Sequence, residues 1–427
     1  MAEIRAFNGL RYTKKAGDIS ELVCPPYDII SDEQRTQYIN NNQNNIIRLE
    51  LPKGENAYKD AGDTLSEWLK KGILEKDSDE GIYIYEMEFS ANGIEHQKVK
   101  GFISLVHLEE FSKGIILPHE ETLSKAKTDR FNLMNATNCN FSQIYSLYMD
   151  EDNSAFELIN NQSERKADVE VTDNDGVIHR MWCIYDKAIV EKLSEKFNDK
   201  KLYIADGHHR YETALNFHKS LCEKGISTPE SLSGYVCMML VNMENDGLVV
   251  FPTHRIVRDL VNFDIDNLLE KCKDYFTVTK VPSVKNLESN LSVLYQSGEK
   301  AYGLYTGDES YYLLVLKDKS VIKNILPEMS DAYCQLDVSI LHSLVLERIF
   351  GIDKENMANQ KNLTYTRSFD EAISSVKSKK ANCSFILNPT RVSEIRDVAL
   401  ACEKMPQKST YFYPKLITGL VMNRFID

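Results

Sequence analysis

The chain has 427 residues, of which 42% are hydrophobic and 27% are charged, and this composition is ordinary for a folded globular protein. Its formal net charge of −13 disfavours broad, non-specific attraction to nucleic acid or to anionic membranes. Residues 1–15 contain no apolar signal segment, and no apolar stretch approaches the roughly 20 residues needed to cross a bilayer. We therefore expect a cytoplasmic protein that is neither exported nor embedded in a membrane.

The nine cysteines are odd in number, and no two of them are spaced as C-x-x-C. Several lie inside apolar runs, as Cys237 does, which is typical of small buried side chains in a reducing compartment. We expect neither a disulfide framework nor a zinc site.

Short strand-like runs alternate with amphipathic helical runs, which predicts a mixed α/β fold in several domains. In the first third, Ser31 and Gln34 form the pattern of a capping box for a helix that ends near Ile39. The composition also predicts a helix over 56–74 and neighbouring strands over 81–89 and 99–106.

Acidic and polar residues over 149–166 indicate a first domain boundary. The middle of the chain predicts a strand over 177–185, a helix over 187–197, a strand over 202–205, a helix over 208–222 and a strand over 235–243. Beyond about residue 260, we predict strands over 311–316 and 384–387, and helices over 338–350 and 392–402. We thus expect three domains, over 1–166, 167–260 and 261–427.

The sharpest chemical feature is the run Asp206–Arg210, where an apolar strand stops and a helix begins. Gly207 allows the backbone to turn and to approach a ligand closely. The first turn of a helix favours negative charge, so phosphate is the natural guest, with His208, His209 and Arg210 as donors. Asp206 could orient a hydroxyl group or hold a metal ion. The plainer alternative is that Asp206 caps the helix and the histidines are surface residues.

A second feature is the charged segment Pro118–Arg130. An acid here, such as Glu120, could act as a general base toward a hydroxyl group. The cations Lys125, Lys127 and Arg130 could neutralise phosphate oxygens. The alternative is a solvated charged loop that leads into a helix.

Three further segments have a weaker signal. Thr253, His254 and Arg255 follow an apolar strand and could point into a cleft. Cys24–Asp28 is interpreted as a rigid structural turn. Pro406–Lys415 places a lysine and two hydroxyl groups in a loop bounded by prolines, which could cradle a phosphate. Common nucleotide-binding and hydrolase motifs, including G-x-G-x-x-G, Walker A and G-x-S-x-G, are absent from the sequence.

These residues resemble the pattern of domain-of-unknown-function family 1015 over nearly the whole chain. The one departure is Asn8, where we expect an arginine or a lysine. The motifs that carry the resemblance are Ala6–Tyr12, Pro25–Asp28, Leu117–Glu120 with Thr122 and Lys125, Tyr203–Glu212, Pro252–Arg255, Asn388–Arg391 and Met405–Gly419.

The Asp206–Arg210 turn is also similar to the signature turn of the ParB/sulfiredoxin superfamily, which includes free-serine kinases. This resemblance implies a ParB/sulfiredoxin-like phosphate-binding core over 167–260. Sulfiredoxin chemistry itself needs a cysteine beside the turn, and His208 fills that position here.

The resemblance implies a phosphotransferase that acts on free L-serine or phosphoserine with ATP or ADP and Mg²⁺. Asp206 or Glu120 would act on the serine hydroxyl, and Asp206 would hold the metal. The residues expected to contact substrate are His119, Thr122, Thr253, His254, Arg255 and Lys408. A phosphoserine phosphatase is one alternative, and a non-enzymatic, nucleotide-binding regulator resembling the partition proteins is another. We expect a small-molecule substrate and no membrane or nucleic-acid partner.

Overall fold

The structure is a computed structural model that describes residues 1–91, 93–120, 124–307 and 309–426, without the side chains of 124–126. The described chain forms two compact units. Unit 1 consists of residues 1–118, 124–249 and 414–426, and unit 2 of residues 119–120 and 250–413.

The strands of the described chain are β1 (Ile4–Arg5), β2 (Leu10–Tyr12), β3 (Leu74–Lys76), β4 (Ile82–Ala91), β5 (Ile94–His107), β6 (Ile116–Leu117), β7 (Cys139–Asn140), β8 (Ile144–Tyr148), β9 (Val169–Thr172), β10 (Ile178–Ile184), β11 (Leu202–Asp206), β12 (Tyr235–Asn242), β13 (Val249–Val250), β14 (His254–Val257), β15 (Phe276–Val281), β16 (Ala301–Tyr305), β17 (Tyr311–Leu316), β18 (Leu363–Thr366), β19 (Cys383–Ile386), β20 (Phe412–Tyr413) and β21 (Asn423–Arg424).

The α-helices are α1 (Ile19–Leu22), α2 (Asp32–Asn41), α3 (Ile47–Glu50), α4 (Ala57–Lys71), α5 (Ser124–Thr137), α6 (Ser154–Gln162), α7 (Lys187–Glu195), α8 (His208–Glu223), α9 (Ile265–Cys272), α10 (Val284–Gln296), α11 (Val321–Ile325), α12 (Asp331–Cys334), α13 (Asp337–Leu341), α14 (Lys354–Ala358), α15 (Phe369–Lys377) and α16 (Val392–Leu400). Helix α13 continues directly into a π-helical segment, His342–Glu347.

Unit 1 is built on a mixed sheet that has nine strands in the described residues. Eight of them follow the order β6-β11-β8-β12-β5-β4-β10-β9, and β1 pairs with the end of β5. Strand β11 is parallel to β6 and antiparallel to β8, whereas β12 is parallel to β8. Every residue of β12 is buried, as expected for an apolar central strand.

Helices α5, α6, α7 and α8 contribute apolar side chains to the core that covers this sheet. Tyr211 and Phe217 of α8 are almost completely buried in it. A separate core joins α3 and α4 to β2 and β3 and includes Trp68. Helix α8, and with it the Asp206–Arg210 turn, is therefore fixed by packing along its length.

Unit 2 contains an antiparallel sheet of six strands in the order β15-β17-β16-β19-β14-β18. The consecutive residues Ile256 and Val257 of β14 belong to two different cores. Because successive side chains of a strand point to opposite faces, both faces of this sheet are covered. Helices α10 and α15 pack in one core, and α9 and α13 in the other.

The mixed α/β class expected from the sequence is confirmed by these sheets and helices. The Ser31/Gln34 capping box is present at α2, and the two early strands form the antiparallel pair β4–β5. The expected boundary at residue 166 falls inside unit 1, because β9 and β10 extend the same sheet as β4. In the described part of the chain, no helix is long and apolar enough to span a bilayer.

Candidate functional site

The strand-to-helix turn at the end of β11 has two unusual backbone features. The register of β11 against β8 shifts between Ile204 and Asp206, so the strand carries a bulge just before Asp206. Gly207 follows with a φ of 96°, a value that side chains other than glycine rarely adopt. Bulges re-aim the residues beside them, so this pair of features directs Asp206 away from the regular pleat at the start of α8.

The Asp206 carboxylate lies between two cations of unit 1. Its Oδ2 accepts a hydrogen bond from Arg210 Nη2 at 3.1 Å, and its Oδ1 lies 3.4 Å from Lys415 Nζ. Burial opposes ionisation, but Lys415, then Arg210 and His208, hold the pKa of Asp206 well below its usual range. Asp206 is therefore a carboxylate across the physiological pH range.

Arg210 reaches back over the turn rather than out along the helix. A Cβ atom placed on Gly207 would lie 3.0 Å from Arg210 Nε, so the guanidinium group would have to move by a few tenths of an ångström. Arg210 Nη1 donates to the carbonyl oxygen of Gln143 at 2.5 Å. Glycine at position 207 thus serves two purposes, the positive φ and the close approach of the guanidinium group.

The two histidines of the turn differ in exposure. His208 is buried, with 5% of its surface exposed, whereas His209 is half-buried. Burial has the largest effect on the pKa of Asp206 and raises it. His208 lowers this pKa, by less than Lys415 and Arg210 do. The sequence placed both imidazoles beside an anion, and the structure places them in the first turn of α8.

A second charged cluster in unit 1 contains Arg130, one of the cations expected to contact phosphate. Its guanidinium carbon lies 4.0 Å from the centroid of the Tyr27 ring, and Nη1 donates to the Glu50 carbonyl oxygen at 2.7 Å. The Glu50 carboxylate lies 3.5 Å away and accepts from Ser142 at 2.6 Å. Burial raises the pKa of Glu50, and Arg130 acts against that rise.

This cluster borders the Asp206 turn. A cavity of about 40 Å³ is lined by both Arg130 and Arg210, together with Glu50 and Ser142. Burial raises the pKa of Tyr27 to about 12, although Arg130 and Arg210 both lower it. The Cys24–Asp28 turn, interpreted from the sequence as structural, therefore lies next to the guanidinium groups.

Of the other two cations of Pro118–Arg130, the structure describes the side chain of Lys127 but not that of Lys125. Lys127 Nζ donates to Glu212 Oε2 at 2.8 Å, an ion pair between α5 and α8. Thr122 and the side chain of Lys125 lie outside the described residues. The phosphate-binding role expected of Lys125, Lys127 and Arg130 stays a prediction.

In unit 2, several of the predicted substrate residues meet at one loop, Met405–Thr410. Glu120 Oε1 accepts a hydrogen bond from the Lys408 amide at 2.7 Å, and Lys408 adopts a φ of 57°. Arg255 Nη2 donates to the Lys408 carbonyl oxygen at 3.0 Å. His119 Nε2 lies 2.9 Å from Thr410 Oγ1. These residues thus fix the loop from several sides.

Arg255 is completely buried in unit 2. Besides the loop carbonyls, its guanidinium group donates to the Thr253 carbonyl and to His342 Nε2, the latter at 3.3 Å. Burial lowers the pKa of Arg255 to about 10. Burial, and then Arg255, lower the pKa of His254 to about 4, and His254 Nδ1 accepts from the Leu387 amide at 3.2 Å.

Glu120 belongs to unit 2 and Asp206 to unit 1. The action of either acid on the serine hydroxyl, implied by the resemblance to free-serine kinases, stays a prediction.

A metal ion would have few protein ligands. Among the described residues, no group of three or more His, Cys, Asp or Glu side chains is arranged to hold one. A Mg²⁺ ion that takes most of its ligands from phosphates and water needs only one or two carboxylates. Asp206 fits that limited role.

The sequence interpretation missed Lys415, Tyr27 and Glu50 as parts of the unit 1 site. Lys415 lies in a loop bounded by prolines, and the sequence predicts Lys408 of that loop as the residue that contacts substrate. Nothing in the local pattern around Glu50 marks it, since it ends the short helix α3 between apolar residues. The prolines on both sides of the loop are the sequence signal for Lys415, and the rigid proline turn is the signal for Tyr27.

Most of the chain matches one known protein family. The family described as "Protein of unknown function (DUF1015)" matches residues 4–339. The chain belongs to this family. No curated protein matches this DUF1015 member.

Solved structures with a partial likeness to this DUF1015 chain include three of interest. A conserved hypothetical protein from Pyrococcus furiosus is 12% identical, with 72% of this chain and 92% of that chain covered and a TM-score of 0.34. A free serine kinase in complex with AMP is 13% identical, with 72% and 89% covered and a TM-score of 0.34. C-terminally truncated SbnI from Staphylococcus aureus is 11% identical, with 75% and 87% covered and a TM-score of 0.36. Scores below 0.5 do not support transfer of a ligand or an activity to this chain.

Proposed function

We propose that this DUF1015 protein is a nucleotide- and Mg²⁺-dependent phosphotransferase that acts on free L-serine or phosphoserine. The observation that carries the proposal is the Asp206 carboxylate held between Lys415 and Arg210 at the start of α8. The resemblance of this turn to that of free-serine kinases supplies the substrate class.

The turn supports phosphate binding by its charges and its backbone. Two cations lie within 3.4 Å of Asp206, and the start of a helix of 16 residues adds the positive end of its dipole. A phosphate oxygen entering this turn would compete with the Asp206 carboxylate for Arg210 and Lys415. Such exchange would place charged donors on the transferring group without a large movement of the backbone.

The lowered pKa of Asp206 bears on its role. A carboxylate held by two cations is a weak proton acceptor, so Asp206 is poorly suited to act as a general base. It would bind Mg²⁺ once phosphate oxygens have taken its place at Arg210 and Lys415. When bound, Mg²⁺ supplies charge neutralisation between phosphate groups.

In this proposal, Glu120 is the general base that accepts the proton of the serine hydroxyl. In the forward reaction the bond between the terminal phosphorus of ATP and its bridging oxygen breaks, and a bond from that phosphorus to the serine oxygen forms. The hydroxyl proton passes to the Glu120 carboxylate, and ADP leaves. Such a transfer depends chiefly on positioning and electrostatics, which a small set of residues can supply.

The test incubates purified protein with L-serine, ATP or ADP, and Mg²⁺, and quantifies phosphoserine in both reaction directions. We expect turnover by the wild type and its loss in Asp206→Asn. Asp60→Asn is the matched control, because Asp60 is an exposed residue of α4. Phosphate release from phosphoserine without nucleotide would favour a phosphatase. Nucleotide binding without turnover of serine or phosphoserine would favour a regulator.

A further inference from the structure

Unit 2 contains a cleft of about 130 Å³ that none of the predicted catalytic residues lines. A site for a single water molecule needs about 10–15 Å³ by this measure, so the cleft holds roughly ten non-hydrogen atoms. Its lining residues come from four parts of unit 2, namely α12 with the region before it, the π-helical segment with α14, strand β18, and residues 404–407.

The π-helical segment places His342, Ser343 and Glu347 on one wall of this cleft. A π-helical turn widens the helix and occurs frequently at functional sites. Residues 404–407 form another part of the lining, and the Met405–Thr410 loop is fixed by a hydrogen bond from Arg255 to the Lys408 carbonyl and one from the Lys408 amide to Glu120. The cleft is therefore built from a widened helix and an anchored loop.

Tyr365, on the wall of this cleft, has a hydroxyl group without a hydrogen-bond partner among the described residues. Its oxygen is buried, and it forms no hydrogen bond with any other described residue. A buried hydroxyl without a partner costs about 1–3 kcal/mol, so such a group on the wall of a cleft points to a ligand that satisfies it.

His342 adds a donor beside Tyr365. Burial, and then Arg255, hold the pKa of His342 well below its usual range, so the imidazole is neutral. Its Nε2 accepts from Arg255 Nε at 3.3 Å, which leaves the proton on Nδ1. Arg255 itself forms no ion pair with a carboxylate in the described part of the chain, and its charge lies behind His342 and the Tyr365 ring. Hydrogen-bond donors and a positive charge together favour a carboxylate group of a ligand at the part of the cleft lined by Tyr365 and His342.

The rest of the lining has both charge signs and an apolar surface. Glu347 lies on the cleft, and burial raises its pKa while Lys354 lowers it. A ligand ammonium group would compensate this partly buried acid. Three methionines, 329, 357 and 405, supply an adaptable apolar wall between the polar groups.

We infer that this cleft binds a free α-amino acid with an apolar side chain, with its carboxylate at Tyr365 and His342 and its ammonium group at Glu347. Leucine, with nine non-hydrogen atoms, matches the size of the cleft. The inference does not rest on the proposed phosphotransferase activity, because no residue of the Asp206 turn takes part.

The first test is isothermal titration of the full-length protein with L-leucine as the probe. We expect saturable binding of one molecule per chain. Two analogues that each lack one charge, 4-methylpentanoate and 3-methylbutylamine, should bind at least tenfold more weakly. Equal binding of either analogue would overturn the assignment of a zwitterionic ligand, and the absence of any heat of binding by L-leucine would overturn the site.

Two variants locate the site. Tyr365→Phe removes the unpartnered hydroxyl, and Glu347→Gln removes the acid, and each should weaken L-leucine binding at least tenfold. Tyr312→Phe is the matched control, because Tyr312 lies on β17 and does not line the cleft. Urea unfolding of each variant checks that the fold is unchanged. Unchanged affinity in both Tyr365→Phe and Glu347→Gln, with L-leucine still bound, would place the ligand elsewhere and overturn the inference.

Discussion

Asp206 neutralises two cations that would otherwise face each other in a confined part of unit 1. The side chains of Lys415 and Arg210 are 13% and 12% exposed, so water screens their charges poorly. The carboxylate is therefore a structural counter-ion as well as a candidate ligand of Mg²⁺. Removing the carboxylate should therefore lower the free energy of unfolding as well as turnover, and the two effects can be measured separately.

Asp206→Asn should destabilise the protein by about 1–3 kcal/mol, because it leaves Lys415 and Arg210 without their counter-ion. Inorganic phosphate should restore part of this stability by binding in place of the carboxylate. Urea unfolding with and without phosphate measures both effects. A variant as stable as the wild type, with no added response to phosphate, would show that the cations do not depend on Asp206.

Gly207→Ala should impair the same site by a different route. Alanine at a φ of 96° is strained. Its Cβ would lie 3.0 Å from Arg210 Nε and would push the guanidinium group away. We expect a loss of about 1–2 kcal/mol in unfolding free energy and weaker phosphate binding. Gly225→Ala is the control, because Gly225 has a φ of 70° but an open surrounding. It should show a similar backbone cost with phosphate binding retained.

The buried His254 makes stability depend on pH. Its folded pKa is about 4, below the ordinary value of about 6.5, so the unfolded chain binds the proton more readily. The stabilisation is complete above pH 6.5 and is lost as the pH falls toward 4. Between pH 7 and pH 5 we expect a loss of about 2 kcal/mol from this residue, which His254→Asn should remove from the pH profile. A profile with the same slope in the variant would contradict this assignment.

The sequence identified the Asp206–Arg210 turn because its chemistry is compressed into five neighbouring residues. Lys415 could not be assigned to it by the same reasoning, since the pairing joins residues far apart in the chain and depends on the path of the last segment. Arg130 was recognised as a cation, but its contacts with Glu50 and Tyr27 are equally non-local.

Among the elements, the segment of residues 414–426 has the largest effect on the candidate site. Thr418 pairs with Cys24, Met422 pairs with Leu10, and β21 pairs with β7. Gln143 donates to the Val421 carbonyl oxygen, and its own carbonyl oxygen accepts from Arg210. The segment that carries Lys415 is thus held by several strands of unit 1 and by the residue that also anchors Arg210.

Tyr85→Phe tests whether this anchoring reaches the site. The Tyr85 hydroxyl accepts from the Ile417 amide and lies 2.7 Å from His179 Nδ1, while His179 Nε2 lies 3.0 Å from Asp173. Loss of the hydroxyl should cost about 1–3 kcal/mol, because buried partners are left unsatisfied. We expect faster amide hydrogen exchange at Ile417 and weaker phosphate binding. Tyr312→Phe should change neither quantity.

Elements with strong local signals were predicted well. The capping box at α2, the strands β4 and β5 and the strand–turn–helix of β11 and α8 all follow from periodicity and capping residues. The predicted helix over 338–350 is correct in position, but the structure divides it into α13 and a π-helical segment. Apolar periodicity does not distinguish these forms, since the extra residue per turn is set by packing.

At the scale of the whole molecule, most of unit 2, residues 250–413, is inserted between two segments of unit 1. The chain leaves unit 1 at Val249 and returns at Pro414. The first and last segments of the insertion run side by side, since the Phe251 amide donates to the Tyr411 carbonyl oxygen at 2.8 Å and the Phe251 and Tyr413 rings stack at 4.8 Å. A boundary of this kind has no marker in composition, which is why three consecutive domains were expected.

Because the ends of the insertion are adjacent, residues 251–412 should be replaceable by a short Gly/Ser linker. We expect the shortened chain to unfold cooperatively and to retain phosphate binding at Asp206, while L-leucine binding is lost. Thermal unfolding and titration with each ligand measure these outcomes. An unfolded product would show that unit 1 depends on unit 2 for its stability.

The ion pair between Asp206 and Lys415 also has a consequence for biosynthesis. Unit 2 is translated between these two residues, so the ribosome adds about 200 residues after Asp206 before it reaches Lys415. At roughly 5–20 residues per second, that interval is on the order of 10–40 s. During that time the nascent chain has the β11–α8 turn but lacks one of its cations. The protein should therefore acquire its full phosphate affinity late in biosynthesis, after unit 2 has been translated and Lys415 has left the ribosomal exit tunnel.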